Sequence, residues 1–245
     1  MEESDIPTAL HNVIKKVEDA KLRRKQFKGD ACIVAVSKTK PKSVIIEAYN
    51  CGHQHFGENY VNELLEKASD PEVIELCPDI KWHFIGHLQS NKVNKLIGVP
   101  NLYMIHTVDS KKLADLVDRA WSKLGKPNPL KVMIQINTSG EDSKSGISPD
   151  DVVDLAKHII ENCSHICLAG LMLIGYANYD LKLGPNPEFQ MLAKYKGIVC
   201  EKFNIDLENF ALSMGMSQDF EHAVELGSNY VRVGRAILGA RSTKV

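Results

Sequence analysis

Lys38 is the first residue of this sequence placed to act as a nucleophile. Six apolar residues, Ala31, Cys32, Ile33, Val34, Ala35 and Val36, lead up to it with only Ser37 between. A continuous apolar run of that length, rich in β-branched residues, reads as a strand buried on both faces, as in a parallel sheet covered by helices. Side chains alternate along a strand, so Lys38 shares a face with Cys32, Val34 and Val36. If that face lines the inside of a barrel, the ammonium stands at the mouth above an apolar wall. Partial desolvation in such a place makes a lysine amine available to attack a carbonyl. A lone lysine at a strand end more often only reaches for water, so the rest of the chain has to decide.

Two glycine-containing stretches near the C-terminus have the residue types of an anion site: Leu212-Ser213-Met214-Gly215-Met216-Ser217 and Val231-Arg232-Val233-Gly234-Arg235-Ala236. Gly215 and Gly234 would let the backbone approach a ligand, Ser213 and Ser217 can donate hydroxyls, and backbone N–H groups at a helix start point at an anion. The histidines allow another reading. His53 and His55 fall on one strand face, and His83, His87 and His106 add further imidazoles, which with Lys38 as a bridging ligand would suit a barrel metallohydrolase. That chemistry also needs a carboxylate at a late strand end, where the chain offers Arg232 and Gly234 instead. The histidines therefore read as polar core or rim residues, and no metal is expected.

The elements that must position these residues alternate along the chain. Leu10, Val13, Ile14 and Val17 keep helical spacing ahead of the first strand. Strand patterns follow at 31–37, 53–57, 81–86, 102–107, 130–137, 166–174, 210–214 and 230–234. Helical patterns lie between them at 42–51, 60–68, 91–97, 110–124, 149–162, 187–203 and 218–226. Eight strands alternating with helices leave an open doubly wound sheet or a closed (β/α)₈ barrel. No G-x-G-x-x-G follows the first strand, and the count of eight favours the barrel, an α/β fold of TIM type with an extra N-terminal helix. Its active site then lies at the C-terminal ends of the strands. Those ends carry Lys38, Glu58-Asn59, His87, Asp109, Asn137, Gly175-Tyr176, Met214-Gly215 and Arg235.

A chain of 245 residues fits this fold as a single domain over 1–245, with no linker or low-complexity segment in it. The formal charge of −1 gives no electrostatic reason to expect nucleic acid or an anionic membrane as partner. No apolar run reaches the roughly 18 residues a membrane-spanning helix needs. The acidic start, Met1-Glu2-Glu3-Ser4-Asp5, has neither a secretory nor a mitochondrial character. Six scattered cysteines without a Cys-x-x-Cys pair read as buried free thiols in a reducing compartment. The expected setting is cytoplasmic, with a mitochondrial one left open.

Six motifs, in order, now define a resemblance: Val36-Ser37-Lys38-Thr39-Lys40-Pro41, Phe56-Gly57-Glu58-Asn59-Tyr60, Trp82 through Lys92, Asn137 through Gly146, Ser213-Met214-Gly215-Met216-Ser217 and Val231-Arg232-Val233-Gly234. From about residue 8 to Arg241 the chain resembles the pyridoxal phosphate homeostasis proteins, relatives of the N-terminal barrel of bacterial alanine racemase. The resemblance implies pyridoxal 5′-phosphate held on Lys38 as an internal aldimine, with Arg232 facing the pyridine nitrogen. It further implies a phosphate held by Ser213, Ser217, Gly234 and Arg235, the last two through their backbone, with Asn59, Gly215 and Met216 also lining the cofactor site. Where the family pattern usually has a small or hydroxyl residue after the second glycine, this chain has Arg235; a backbone contact survives that change and a hydroxyl contact does not.

The function implied is intracellular vitamin B6 homeostasis, by a monomeric, non-catalytic carrier that binds the cofactor and hands it to pyridoxal phosphate-dependent apo-enzymes. A carboxylate at the pyridine nitrogen would make the ring a strong electron sink, whereas a guanidinium only donates and leaves the nitrogen unprotonated. The alternative is an amino-acid racemase of low activity. Against it, the chain stops about ten residues after its eighth strand. By resemblance, alanine racemase has a C-terminal β domain that supplies a tyrosine acid/base. Tyr60, Tyr176 and Tyr179 lie near strand ends as possible substitutes.

Overall fold

The computed structural model describes residues 5–24, 29–138, 145–175 and 179–239. Its eight strands are β1 (Cys32–Val36), β2 (His55–Glu58), β3 (Lys81–Phe84), β4 (Leu102–Val108), β5 (Leu130–Ile136), β6 (Ile166–Leu173), β7 (Ala211–Met216) and β8 (Tyr230–Val233). All neighbours are parallel, and β8 pairs with β1, with Val34 beside Arg232 and Ala35 beside Val233, so the sheet closes into a barrel in sequence order. Parallel strands need crossovers, which the helices supply. The crossovers contain α2 (Lys42–Asn50), α3 (Val61–Ala68), α4 (Pro71–Leu76), α5 (Val93–Ile97), α6 (Lys111–Ser122), α7 (Val152–Asn162), α8 (Pro187–Phe203) and α9 (Phe220–Glu225), while α1 (Ile6–Leu22) precedes β1 and α10 (Arg235–Leu238) follows β8.

Local chemistry accounts for many boundaries. Ser110 Oγ accepts from Leu113 N at the start of α6, and Asn186 Oδ1 accepts from Glu188 N and Phe189 N ahead of Pro187 in α8. The expected element at 149–162 splits: Pro149–Asp151 forms a 3₁₀ turn, and the α-helix starts at Val152. Two helices escape sequence periodicity. α4 buries only Val73, so its signal is the Asp70-Pro71 start rather than an apolar stripe. α10 is four residues long. The extra helix α1 buries Ile6, Leu10, Val13, Val17 and Ala20 and packs on α2, α9 and α10.

Two apolar regions result. Strand residues such as Ile33, Ala35, Phe56, Trp82, Phe84 and Ile134 pack outward against the helices. Inside the barrel, Met104, Met133 and Met172 form a separate cluster flanked by Tyr103, Ala169, Ala211 and Tyr230. The interior also holds buried polar side chains, those of His83, His106, Gln135, Ser213 and Arg232. The expectations for Tyr176, Arg241 and residues 139–144 lie outside the described residues.

Candidate functional site

Lys38 lies in a tight turn directly after β1, half-buried, as its place at a strand end requires. Ser37 N still pairs with Gly57 O at 3.0 Å, and Lys40 N closes the turn on Ser37 O at 3.0 Å. Thr39 has φ +64°, a region non-glycine residues seldom occupy. Its N–H donates to Glu63 Oε1 at 2.5 Å. Beneath the turn runs an ionic clamp. Ser37 Oγ donates to Glu58 Oε1 at 2.7 Å, and the Lys67 ammonium donates to Ser37 O, Glu58 Oε1 and Glu63 Oε1, each at 2.7 Å. Both neighbours of Lys38 are thus tied to β2 and α3. Burial pushes the Glu58 carboxyl up, against the downward pull of Lys67. Its Oε2 has no partner among the described residues.

On the other side of β1, β8 ends against it. A Cβ on Gly234 would stand 3.2 Å from Val36 O, so a small residue here brings the start of α10 beside the Lys38 turn. Arg235 opens α10 and is exposed. At the end of β7, Gly215 has φ +91°, and a Cβ there would lie 2.4 Å from Ala223 Cβ. Only glycine lets this strand end kink onto α9. Met216 N–H donates to Asp219 Oδ1 at 2.6 Å, and Ser217 follows, half-buried in the turn. Asn59, after β2, has a buried Oδ1 without a partner among the described residues. Gly86 makes room for its backbone, since a Cβ there would be 2.0 Å from Asn59 O.

The expected residues therefore collect on four neighbouring strand ends, β7, β8, β1 and β2. Ser213 differs from Ser217 in direction. It is fully buried and points into the barrel, where Arg232 Nη1 donates to its Oγ at 2.8 Å. Arg232 Nη2 donates to Leu173 O at 2.8 Å. Burial brings this guanidinium down to about 10, with Asp219 pulling the other way.

Behind Ser213 stand three histidines in line. His106 Nδ1 is 3.0 Å from Ser213 Oγ, His83 Nδ1 is 2.9 Å from His106 Nε2, and His55 Nδ1 is 2.8 Å from His83 Nε2. Their nitrogens run in series and do not converge on a point. His53 stays outside the line, bonded to His55 O. Exposed His87 faces Asp109 at 3.7 Å. Two cavities, of about 430 and 220 Å³, lie at the N-terminal end of the barrel; Lys81 and Tyr103 line one and His53 and His55 the other. Neither touches the strand ends that carry Lys38.

Sequence reasoning did not find the clamp or the line of imidazoles. The signal for the clamp was Lys67 itself, which sits in the buried stripe of α3 with Val61, Leu64 and Ala68. For the line, the signal was histidine recurring within otherwise apolar strands.

The residues present fit a cofactor that brings an aldehyde, a phosphate and a ring nitrogen. There is an amine at one strand end, glycine-shaped backbone at two others, and a buried guanidinium between them. These features define a (β/α)₈ barrel with a lysine in the turn that follows its first strand. The sequence profile described as "Alanine racemase, N-terminal domain" matches residues 18–242. The chain belongs to that family and, within it, to the pyridoxal phosphate homeostasis proteins. The human protein of that name is 52% identical over 241 residues, 98% of this chain and 88% of the relative. The one from Caenorhabditis elegans is 40% identical over 240 residues, 98% and 97%. The structure of PipY from Synechococcus elongatus with pyridoxal phosphate bound is 29% identical, with a TM-score of 0.81 over 96% of this chain and 100% of that one. Alanine racemase from Clostridium difficile shares the fold at a TM-score of 0.66 and 15% identity, over 96% of this chain and 61% of that one.

Proposed function

We propose that this chain binds pyridoxal 5′-phosphate as a Schiff base on Lys38 and serves as a monomeric, single-domain carrier that supplies the cofactor to apo-enzymes. The observation that carries the reading is the half-buried Lys38 held between two clamped neighbours at the end of β1, with Arg232 on the adjoining strand. When bound, the cofactor supplies an aldehyde that an amine can capture reversibly and a ring that can accept electrons.

The chain's own groups then divide the work. Lys38 would hold the cofactor through its amine, in a linkage that water can reverse, so that one group would serve both binding and release. Backbone at Gly215 and Gly234, the first amides of α10 and the Ser217 hydroxyl are suited to the phosphate, because groups at a helix start have N–H donors to spare. Asn59 Oδ1, without a partner among the described residues, is suited to a donor on the cofactor. Ser213 acts through Arg232 in this reading, since its hydroxyl is already engaged there. Arg232 can only donate, so a ring nitrogen facing it stays unprotonated and the ring remains a weak electron sink.

That weakness supports a carrier over an enzyme. Racemisation needs a base on each face of the carbanion, and a positioned acid or base contributes roughly 10²–10⁴-fold. Tyr60 is 57% exposed, a poor place for such a group. Six cysteines without disulfides favour a reducing, cytoplasmic setting.

The test is borohydride reduction of loaded protein followed by peptide mapping. The label is expected on Lys38, with Lys38→Ala folded and unlabelled. A label on Lys40 or Lys42 overturns the assignment. In parallel, loaded protein is mixed with a cofactor-dependent apo-enzyme and a trap for free pyridoxal phosphate, and amino-acid racemisation and transamination are assayed. Activation despite the trap is expected. Robust amino-acid turnover that Lys38→Ala abolishes would establish the racemase instead.

A further inference from the structure

Among the described residues Arg232 is buried with no carboxylate bonded to it, Asp219 acting on it only through its field, and the groups that accept its hydrogen bonds are neutral: Ser213 Oγ and Leu173 O. A guanidinium has only donors, so Ser213 must accept. The hydroxyl keeps one proton of its own, and the remaining partner of Ser213 Oγ among the described residues is His106 Nδ1 at 3.0 Å. If His106 Nδ1 carried hydrogen, the buried Ser213 proton would have no acceptor, which is the costly arrangement. The hydroxyl therefore donates to His106 Nδ1. That choice propagates: His106 carries its hydrogen on Nε2 and donates to His83 Nδ1, and His83 carries its hydrogen on Nε2 and donates to His55 Nδ1.

We propose that His106, His83 and His55 form a one-directional hydrogen-bond ladder, oriented by Arg232, that holds the guanidinium where the cofactor ring will sit, with His106 as the positioning residue nearest to it. Each ring must be neutral to accept on one nitrogen and donate on the other. Burial keeps them so, taking His106 to about 3, His55 to about 4 and His83 well below the ordinary value. Cations at both ends point the same way: Arg232 faces His106, while Lys81 and Lys131 act on His55. The rings of Tyr103 and Tyr230 pack alongside. A hydroxyl that donates into a polarised chain is also a better acceptor, so the ladder strengthens the Arg232–Ser213 bond. Convergent metal ligation is a poorer account, since each internal nitrogen already faces the next ring.

The ladder's direction stands on the protein alone; its effect on the cofactor rests on the pyridoxal phosphate reading above. The test has two arms. In unloaded, ¹⁵N-histidine-labelled protein near neutral pH, long-range ¹H–¹⁵N correlation spectra should show His83 and His106 as Nε2–H tautomers. An Nδ1–H tautomer or an imidazolium at either position overturns the proposal, whether or not any cofactor binds. In the second arm, pyridoxal phosphate is titrated into wild type, His106→Leu and His106→Gln, reading affinity and the visible absorption maximum. Gln can accept from Ser213 and donate to His83, so it should stay near wild type. Leu should weaken binding by roughly ten- to a hundredfold and move the absorption maximum. Equal spectra and affinities for all three overturn the positioning role. Failure of the wild type to bind would overturn the functional reading and leave the tautomer result to decide the ladder. If His106→Leu does not fold, His83→Gln and His83→Leu carry the same comparison one ring further out, with a smaller effect expected.

Discussion

Two polar networks are buried in this barrel, and they are built on opposite principles. Under Lys38 the network is ionic: one ammonium, that of Lys67, is shared by Glu58, Glu63 and a carbonyl. Behind Arg232 it is neutral: a hydroxyl and three imidazoles in series. The ionic one lies at the rim, where the Glu63 side chain keeps 22% exposure and water lowers the cost of charge. The neutral one runs through the interior, where a second charge would cost more than Coulomb attraction returns. The difference matches what each must hold. Under the proposed function, a turn that offers Lys38 to the cofactor gains from rigid anchors on both sides, whereas a guanidinium that faces a ring nitrogen gains from having no carboxylate bonded to it.

Breaking the clamp should have the largest effect. Lys67→Met keeps the stem and deletes the ammonium, stranding Glu58 in the core; removal of one partner from a buried pair costs about 3–5 kcal/mol. Urea unfolding should show that loss, and the Lys38 label should fall with it as the turn loosens. A loss below about 1 kcal/mol would mean the clamp behaves as a surface ion pair.

Cutting the ladder from Arg232 should cost less. Ser213→Ala removes one acceptor from the guanidinium and one donor from His106, and unmet buried groups of this kind cost about 1–3 kcal/mol. The same substitution should weaken pyridoxal phosphate binding and leave the Lys38 label in place at saturating cofactor. Loss of the label would show that the two networks are not separable.

The smallest effect sharpens the contrast through pH. An unfolded histidine titrates near 6.5, whereas His106 in the fold does so near 3, so between these values the unfolded chain holds the extra proton and stability falls as pH falls. Each such imidazole contributes about 1.4 kcal/mol per pH unit in that window. His106→Gln should therefore flatten the dependence of unfolding free energy on pH between 6 and 5 by about one proton's worth. An unchanged slope would mean that His106 is already charged in the native state. Glu58, raised by burial, acts in the opposite sense, which is why the comparison is made between variants.

The sequence by itself determined the barrel and the strand end at which Lys38 lies. Parallel strands covered on both faces must be continuously apolar, so 31–37 was legible, and alternation with helices along the whole chain left few topologies open. Glycine at 215 and 234 was legible as close approach, because no other residue fits the kinked end of β7 and a small one is needed beside Val36. What only tertiary structure decided is which polar side chains meet. His55, His83, His106 and Ser213 stand 28, 23 and 107 residues apart, and strand alternation says which face each occupies but not which neighbour it finds. Barrel closure and register settle that. Gly57, not His55, pairs with His83 in the sheet, and β7 shifts register between Ser213 and Met216, so the bonds run across the pairing. The direction of Ser213, inward to Arg232 while Ser217 stays at the rim, follows from the same shift in β7. A local pattern fixes the face a side chain takes, but a hydrogen-bond partner from a distant strand exists only once the sheet has closed.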